Sequence, residues 1–386
     1  MKKVTLKLTA LVMLLGGTIT VSYAQNKINV VTSAVPFLRI SPDTRSAGMG
    51  DVGIATAPDA NANFANIART PFSSNKAGIA VNYSQWLRDL GVNDVYIISL
   101  AGYYKIDDQQ AISASLRYFK LGQIQFTDQA GNELQIYNPK EFAFDLGYSR
   151  KLSKKLGLGI AIRYINSNLA SGNFGGQNYK AGSSVAGDLH LYHHGAKENG
   201  QGLNWGLTLS NLGSKISYSS DATQKDFIPA NIGLGLAYTK VFDEANKITV
   251  GLDLNKLLVP TPPTLSNGAN PAQDSADLKK YRGRSVASSW VNSFSDASGG
   301  GSEEIQEINL SIGAEYWYNN QFGFRAGYFY ENANKGNRKY FTVGASVKYN
   351  IAGLNFAYIF PSGSGTSRSA VSNTWRLGLV FDLAGK

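Results

Sequence analysis

The sequence predicts an all-β protein, a transmembrane antiparallel β-barrel of about fourteen strands with an N-terminal plug, on three observations. Charged residues make up only 17 % of the 386, against roughly a quarter in an ordinary globular domain, while 41 glycines, 21 tyrosines and 18 phenylalanines are present. Beyond the N-terminus no apolar run reaches the ~18 residues that a membrane helix needs, and the mean hydropathy is only −0.18. From Gly78 onward the dominant hydrophobic period is two. Few charges, a near-neutral average and long alternating segments together describe strands with one face in lipid and one in a polar lumen.

The first element is an address. Lys2, Lys3 and Lys7 precede an apolar stretch, Leu8 to Val21, too short to span a bilayer with ease, and Ser22-Tyr23-Ala24 offers small residues where a signal peptidase reads. Residues 1–24 are expected to be a signal peptide cleaved before Gln25, leaving a net charge of about +7 in place of +10. The absence of cysteine excludes disulfides and thiolate sites.

Residues 25–77 do not alternate and are rich in Ala, Gly and Asn but poor in charge. A solvated tail would carry more charge, and a fourteen-strand barrel is too wide for its own side chains to fill. The segment is therefore expected to be a plug. Barrel strands are then read at about 78–87, 93–105, 109–121, 140–152, 155–168, 184–194, 203–213, 230–242, 246–258, 306–317, 320–331, 338–350, 352–360 and 373–384. Leu158, Ile160, Ile162 and Tyr164, for example, oppose Gly157, Gly159, Ala161 and Arg163. The apolar faces often end in Tyr, Trp or Phe, as interfacial girdles do. The opposite faces carry Arg117, Asp145, Arg163, Asp253, Glu315, Arg325 and Lys348, which a soluble sandwich core would not tolerate unpaired.

Turns after the second, fourth, eighth, tenth and twelfth strands are tight, whereas those after the third, fifth, seventh, ninth and thirteenth are long. Short periplasmic turns and long exterior loops are the rule in outer-membrane barrels, so the parity puts both termini in the periplasm of a Gram-negative cell. The longest loop, 259–305, opens with Pro260, Pro262 and Pro263, closes with Gly299-Gly300-Gly301, and holds Tyr281, Trp290, Val291 and Phe294. Apolar groups on such a loop are either a contact surface or a flap folded over the barrel mouth.

Site motifs fail one by one. Gly48-Met49-Gly50-Asp51-Val52-Gly53 matches a dinucleotide fingerprint, but no strand precedes it and no acidic partner follows near position 73. Its glycines fit a tight turn in the plug. Asp59-Ala60-Asn61-Ala62-Asn63 begins like a calcium loop, yet Phe64 and Thr70 stand where Gly and Glu are needed. Of the three histidines, His190 and His194 share a face and His193 takes the other, which suits no single metal. We read no catalytic, metal or cofactor residue. On an envelope protein the positive charge suits anionic lipopolysaccharide or acidic proteins better than nucleic acid.

Arg45, followed by Ala47-Gly48-Met49-Gly50 and the Ala-rich run to Ala57, resembles the start of the FadL-like long-chain fatty-acid transporter superfamily of outer-membrane barrels. Within it, residues 25–386 are most similar to the PorV family of the type IX secretion system. Arg45, Gly48, Met49, Gly50 and Gly53 are the motif residues. One departure stands out: Asn66-Ile67-Ala68 occupies the place of the Asn-Pro-Ala common in relatives. The resemblance implies a non-enzymatic protein that binds the C-terminal signal domain of secreted cargo beside a very large translocon barrel. It also implies delivery to a surface attachment complex containing a sortase-like peptidase. Trp290, Val291 and Phe294, with Trp86 and Leu87 in the first outer loop, are the candidate contacts. The alternative is a channel for hydrophobic small molecules, with strand kinks at glycines such as Gly233, Gly235, Gly323 or Gly327.

Overall fold

The computed structural model describes residues 30–87, 91–127, 130–174, 177–219, 224–266, 268–362 and 373–384; the expected signal peptide lies outside the described residues. Fourteen strands form one closed antiparallel ring. They are β1 (Asn75–Gln85), β2 (Val95–Lys105), β3 (Gln110–Leu121), β4 (Lys140–Lys151), β5 (Leu156–Asn168), β6 (Gly182–His193) and β7 (Gly202–Gly213) in the first half. The second half is β8 (Asn231–Val241), β9 (Asn246–Leu257), β10 (Asn309–Tyr318), β11 (Phe322–Tyr330), β12 (Lys339–Tyr349), β13 (Ala352–Pro361) and β14 (Thr374–Ala384). β14 closes the ring on β1, with Val81 opposite Leu379. Strand limits read from alternation agree to within three residues.

Alternation builds the wall directly. On β5, Ile160, Ile162 and Tyr164 face out and are 49 %, 64 % and 43 % exposed, while Arg163 and Ile165 on the opposite face are buried. The short connections suit tight reversal: Asn319, Asn320 and Asn350 hold φ of 51°, 53° and 54°, a region that asparagine tolerates better than most residues. On the opposite rim two small hairpins, Ile124–Thr127 with Glu133–Tyr137 and Gly172–Phe174 with Gln177–Tyr179, extend the long connections. The ladder is interrupted between β6 and β7 at Gly187/Leu189. There Asn211 takes φ 58° and its N–H is satisfied by Asp188 Oδ1 at 2.7 Å.

Two features lie off the wall. Residues 31–73 form short helical turns, including α1 (Thr44–Ala47), and touch inward positions right around the ring. Thr44 lies against Gly378, Met49 against Gly313 and Gly327, Ile54 against Gly233 and Gly235, and Ile67 against Gly147 and Gly159. A segment that meets inward faces on all sides of a closed ring lies inside it. The second feature is the 259–305 connection, read as a plain loop from sequence. It contains three helices, α2 (Pro271–Gly283), α3 (Val286–Asn292) and α4 (Gly301–Gln306), which crown the long-loop rim.

A filled lumen beneath a helical cap: the candidate functional site

The luminal segment is held by backbone contact and by charge. Gly50, at φ +68°, packs on the Tyr328 backbone, and the Met49 carbonyl lies where a Cβ on Gly313 would stand. Small inward residues at these points let main chain meet main chain. The Gly53 and Ile54 N–H groups both donate to Asp253 Oδ2, at 2.7 and 3.0 Å, so the glycine motif ends on a strand carboxylate. Gly50 N–H donates to Thr342 Oγ1 and the Tyr340 hydroxyl to Asp51.

Arg45 is the hub. It grips Glu315 with two bonds, Nε–Oε2 at 2.8 Å and Nη2–Oε1 at 2.6 Å, and reaches Asp59 at 2.7 Å. Glu315 also receives Arg325 Nε at 2.6 Å, and Asp59 receives Arg69 at 3.0 Å. The result is an alternating run Arg325–Glu315–Arg45–Asp59–Arg69, which fits buried charges that must be paired. Asp59, first residue of the discarded calcium pattern, is thus committed to arginines. Elsewhere on the wall Arg163 bonds Asp145, Asp188 and Asn211.

His190, one of the three histidines, is buried, and its Nδ1 accepts the Ile67 N–H at 3.1 Å. A proline at 67 would have no such proton. The departure Asn66-Ile67-Ala68 therefore comes with its own partner on β6, and Asn66 adds side-chain bonds to the Ile54 and Leu191 carbonyls.

Toward the long-loop rim the chain fills its own lumen with apolar groups. Val35, Phe37 and Leu38 pack against Ile97, Phe119 and Ile165. Two of the cavities left have mixed polar and apolar linings. One, of about 160 Å³, is lined by Arg39, Asp51, Arg117, Asp253 and Arg338 among others. The other, of about 450 Å³, lies at the short-turn end among Arg45, Asp59, Lys247, Glu315, Arg325 and Lys348. Gly233 and Gly235 make room for Ile54, and Gly327 for Met49, while Gly323 faces the Trp317 ring.

The cap is pinned by ions. Lys256 bonds Glu304 at 2.9 Å and Glu307 at 2.5 Å, and Lys335 bonds Glu303 and Glu307 at 2.5 and 2.9 Å. Lys215 Nζ caps the carbonyls of Arg282 and Arg284. Hydrogen bonding from Lys335 holds the Glu303 carboxyl below the ordinary glutamate range. Burial would lower the Lys335 ammonium, but its bonds to Glu303 and Glu307 more than reverse that. A depressed carboxylate stabilises the folded form above its unfolded pKa and loses that effect as pH falls through the folded value. Amide exchange in α4 should accordingly be flat from about pH 5 to 9 and accelerate below about pH 4. Exchange corrected for intrinsic rates that does not change below pH 4 would count against this pinning.

Of the candidate contacts, Val291 and Phe294 are open, at 72 % and 51 % exposure, and Ile305, which sequence reading passed over, is 71 % exposed. Trp290 is half-buried. Trp86 meets Phe119 edge-on at 5.8 Å, and Leu87, at φ 57°, packs on the same apolar cluster. Both therefore turn inward. Ile305 left a weak signal, a single apolar side chain in an acidic Gly-rich stretch.

Among solved structures the chain is similar to the Ralstonia pickettii toluene transporter TbuX, with 12 % identity, TM-score 0.53, and coverage of 90 % of this chain and 98 % of that one. It is also similar to the Pseudomonas putida toluene transporter TodX, with 13 % identity, TM-score 0.51, and coverage of 92 % and 98 %. No curated protein sequence matches. Fold, apolar wall and charged lumen together define a transmembrane β-barrel with the fold of these two transporters. A sequence profile described as "Type IX secretion system protein PorV" matches residues 22–264. The chain belongs to the PorV family, as an outer-membrane component of type IX secretion.

Proposed function

We propose that this protein is a non-enzymatic carrier of type IX secretion. It binds the C-terminal signal domain of cargo beside the translocon barrel and passes it to the surface attachment complex with its sortase-like peptidase. In this reading the short-turn rim and both termini are periplasmic, and residues 25–77 are a permanent plug. The observation that carries it is the filled lumen. Phe37 and Leu38 occupy the apolar end, and two cavities in the lumen carry arginines and carboxylates beside apolar groups such as Phe64, Phe329 and Trp317. A greasy solute would have to pass these ionised groups, which favours the rim and its cap as the working surface. Open apolar side chains at Val291 and Phe294 support cargo docking on the cap.

The alternative, a FadL-like channel for hydrophobic small molecules, draws on the fold shared with two toluene transporters. The charged cavities argue against it. The test is co-purification of cargo by the Val291→Ala/Phe294→Ala double variant. We expect at least a tenfold loss of bound signal domain with normal barrel assembly. Unchanged cargo recovery would remove these residues from the site, and an uptake defect without a secretion defect would favour the channel.

A further inference from the structure

Three outward rows cross the long-loop half of β2 to β5. In the lowest, Leu100, Leu116, Phe144 and Tyr164 stand opposite one another in register and are 39–47 % exposed. One step up are Ile98, Tyr118, Phe142 and Asn166, and above them Tyr96, Lys120, Lys140 and Asn168. Between Leu116 and Lys120 the wall thus passes from apolar through aromatic to cationic. That is the order of acyl chains, interface and headgroups in a leaflet.

The top row holds an uncompensated charge. Lys120 on β3 and Lys140 on β4 are directly opposite, which sets their Cβ atoms about 5 Å apart on one face, and like charges so placed repel. Among the described residues no carboxylate forms an ion pair with either lysine. Asp94, two residues before Tyr96, lies against Gly122 instead, and Glu141 points inward to Ser167. Lys120 has the Tyr96 ring, with its centroid 5.9 Å from Nζ. By contrast, Lys256 and Lys335 under the cap each hold two glutamates. Two ammonium groups held face to face by the ladder are neutralised by one bridging anion, and a phosphate has the oxygens to accept from both. Next to Lys140, Asn166 Nδ2 donates to Ser183 Oγ at 3.0 Å, and the Tyr164 hydroxyl meets the same oxygen at 3.1 Å. These amide and hydroxyl groups form a polar ridge at headgroup height.

We propose that Lys120 and Lys140 are the phosphate seat of a lipopolysaccharide site on the outer wall. One phosphate of the glucosamine headgroup bridges the two ammonium groups, the sugar lies along Asn166 and Asn168, and acyl chains run down over Leu116 and Phe144. The apolar rows beneath the pair select a lipid over a free phosphate. The site rests on the reading above in one respect, that the long-loop rim faces the cell exterior, where the leaflet carries this anionic glycolipid.

The test is native mass spectrometry of the full barrel in mild detergent with three added lipids: monophosphoryl lipid A, the same lipid dephosphorylated, and phosphatidylglycerol. The variants are Lys120→Ala/Lys140→Ala and, as a control, Lys339→Ala, which removes a lone lysine lying 5.0 Å over the Tyr330 ring at the same rim. Native protein and control are expected to retain the phosphorylated lipid A, and the double variant about tenfold less, with unchanged heat-modifiability. Lys120→Arg/Lys140→Arg should keep the lipid. Equal retention by the double alanine variant overturns the proposal, as does equal retention of the dephosphorylated lipid, which would mean that acyl chains alone bind. Phosphatidylglycerol held as well as lipid A would show an unspecific anionic patch and overturn it too. No lipid on a native protein that still co-purifies with cargo defeats the site alone; lipid on a protein that recovers no cargo defeats the secretion reading alone.

Discussion

Glu315→Ala is expected to destabilise the barrel by about 3–5 kcal/mol, because it leaves the buried Arg325 guanidinium without a carboxylate and takes from the partly buried Arg45 one of its two. Glu315 is 2 % exposed and takes three bonds, two from Arg45 and one from Arg325. Arg325 is itself almost wholly buried, with its Nη1 on Ser346. Arg45 would keep Asp59, but Asp59 is shared with Arg69, so one carboxylate would then serve two arginines and Arg325 would have none. Unfolding temperature by heat-modifiability on gels reads the loss. Adding Arg325→Met should recover a large part of it, since removing both partners of a buried pair is far milder than removing one. If the single variant melts like the native protein, the Arg–Glu run does not hold the luminal segment.

Gly327→Val is the second large effect. A Cβ there would stand 2.1 Å from the Met49 carbonyl carbon and 2.3 Å from the Gly50 nitrogen. Both are backbone atoms, so no rotamer change relieves the clash, and Gly50 behind them is already in the left-handed region. Overpacking of this kind costs about 1–3 kcal/mol or more, and the cheaper response is for the 48–53 loop to leave its seat. That movement breaks the Asp253 and Thr342 bonds as well. We expect ion conductance in planar bilayers to rise severalfold over the native protein, with tryptic cleavage becoming detectable at Arg45. Gly187→Ala is the control, since its added Cβ would meet nothing closer than 3.7 Å. Equal conductance in all three proteins would show that backbone contact at Met49 does not seat the segment.

Much of the wall was legible in the sequence because a β-strand's side-chain period is two and entirely local. Leu158, Ile160 and Ile162 declare their face without reference to any other strand. Turn length is equally local, so the two rims separate on paper. The charged inward positions could be named, and Arg45 with its glycines could be singled out, but not joined. Arg45 and Glu315 are 270 residues apart, and nothing in either neighbourhood specifies the other.

The cap escaped for a different reason. α2 buries no residue, so it has no apolar stripe to register as a 3.6-residue period; its N-cap Asn270 and the ion pairs around it hold it in place. Trp86 and Leu87 looked like an exposed loop tip because sequence distinguishes loop from strand, not a loop that turns inward from one that turns out. The sequence by itself determined the strands, their two faces and their order along the chain, all of which follow from short-range periodicity. Only the tertiary structure decided what fills the lumen, which charges meet, and that the 259–305 connection folds into a helical cap. Those depend on closing the ring, which turns residues far apart in the chain into neighbours across a lumen or along a wall.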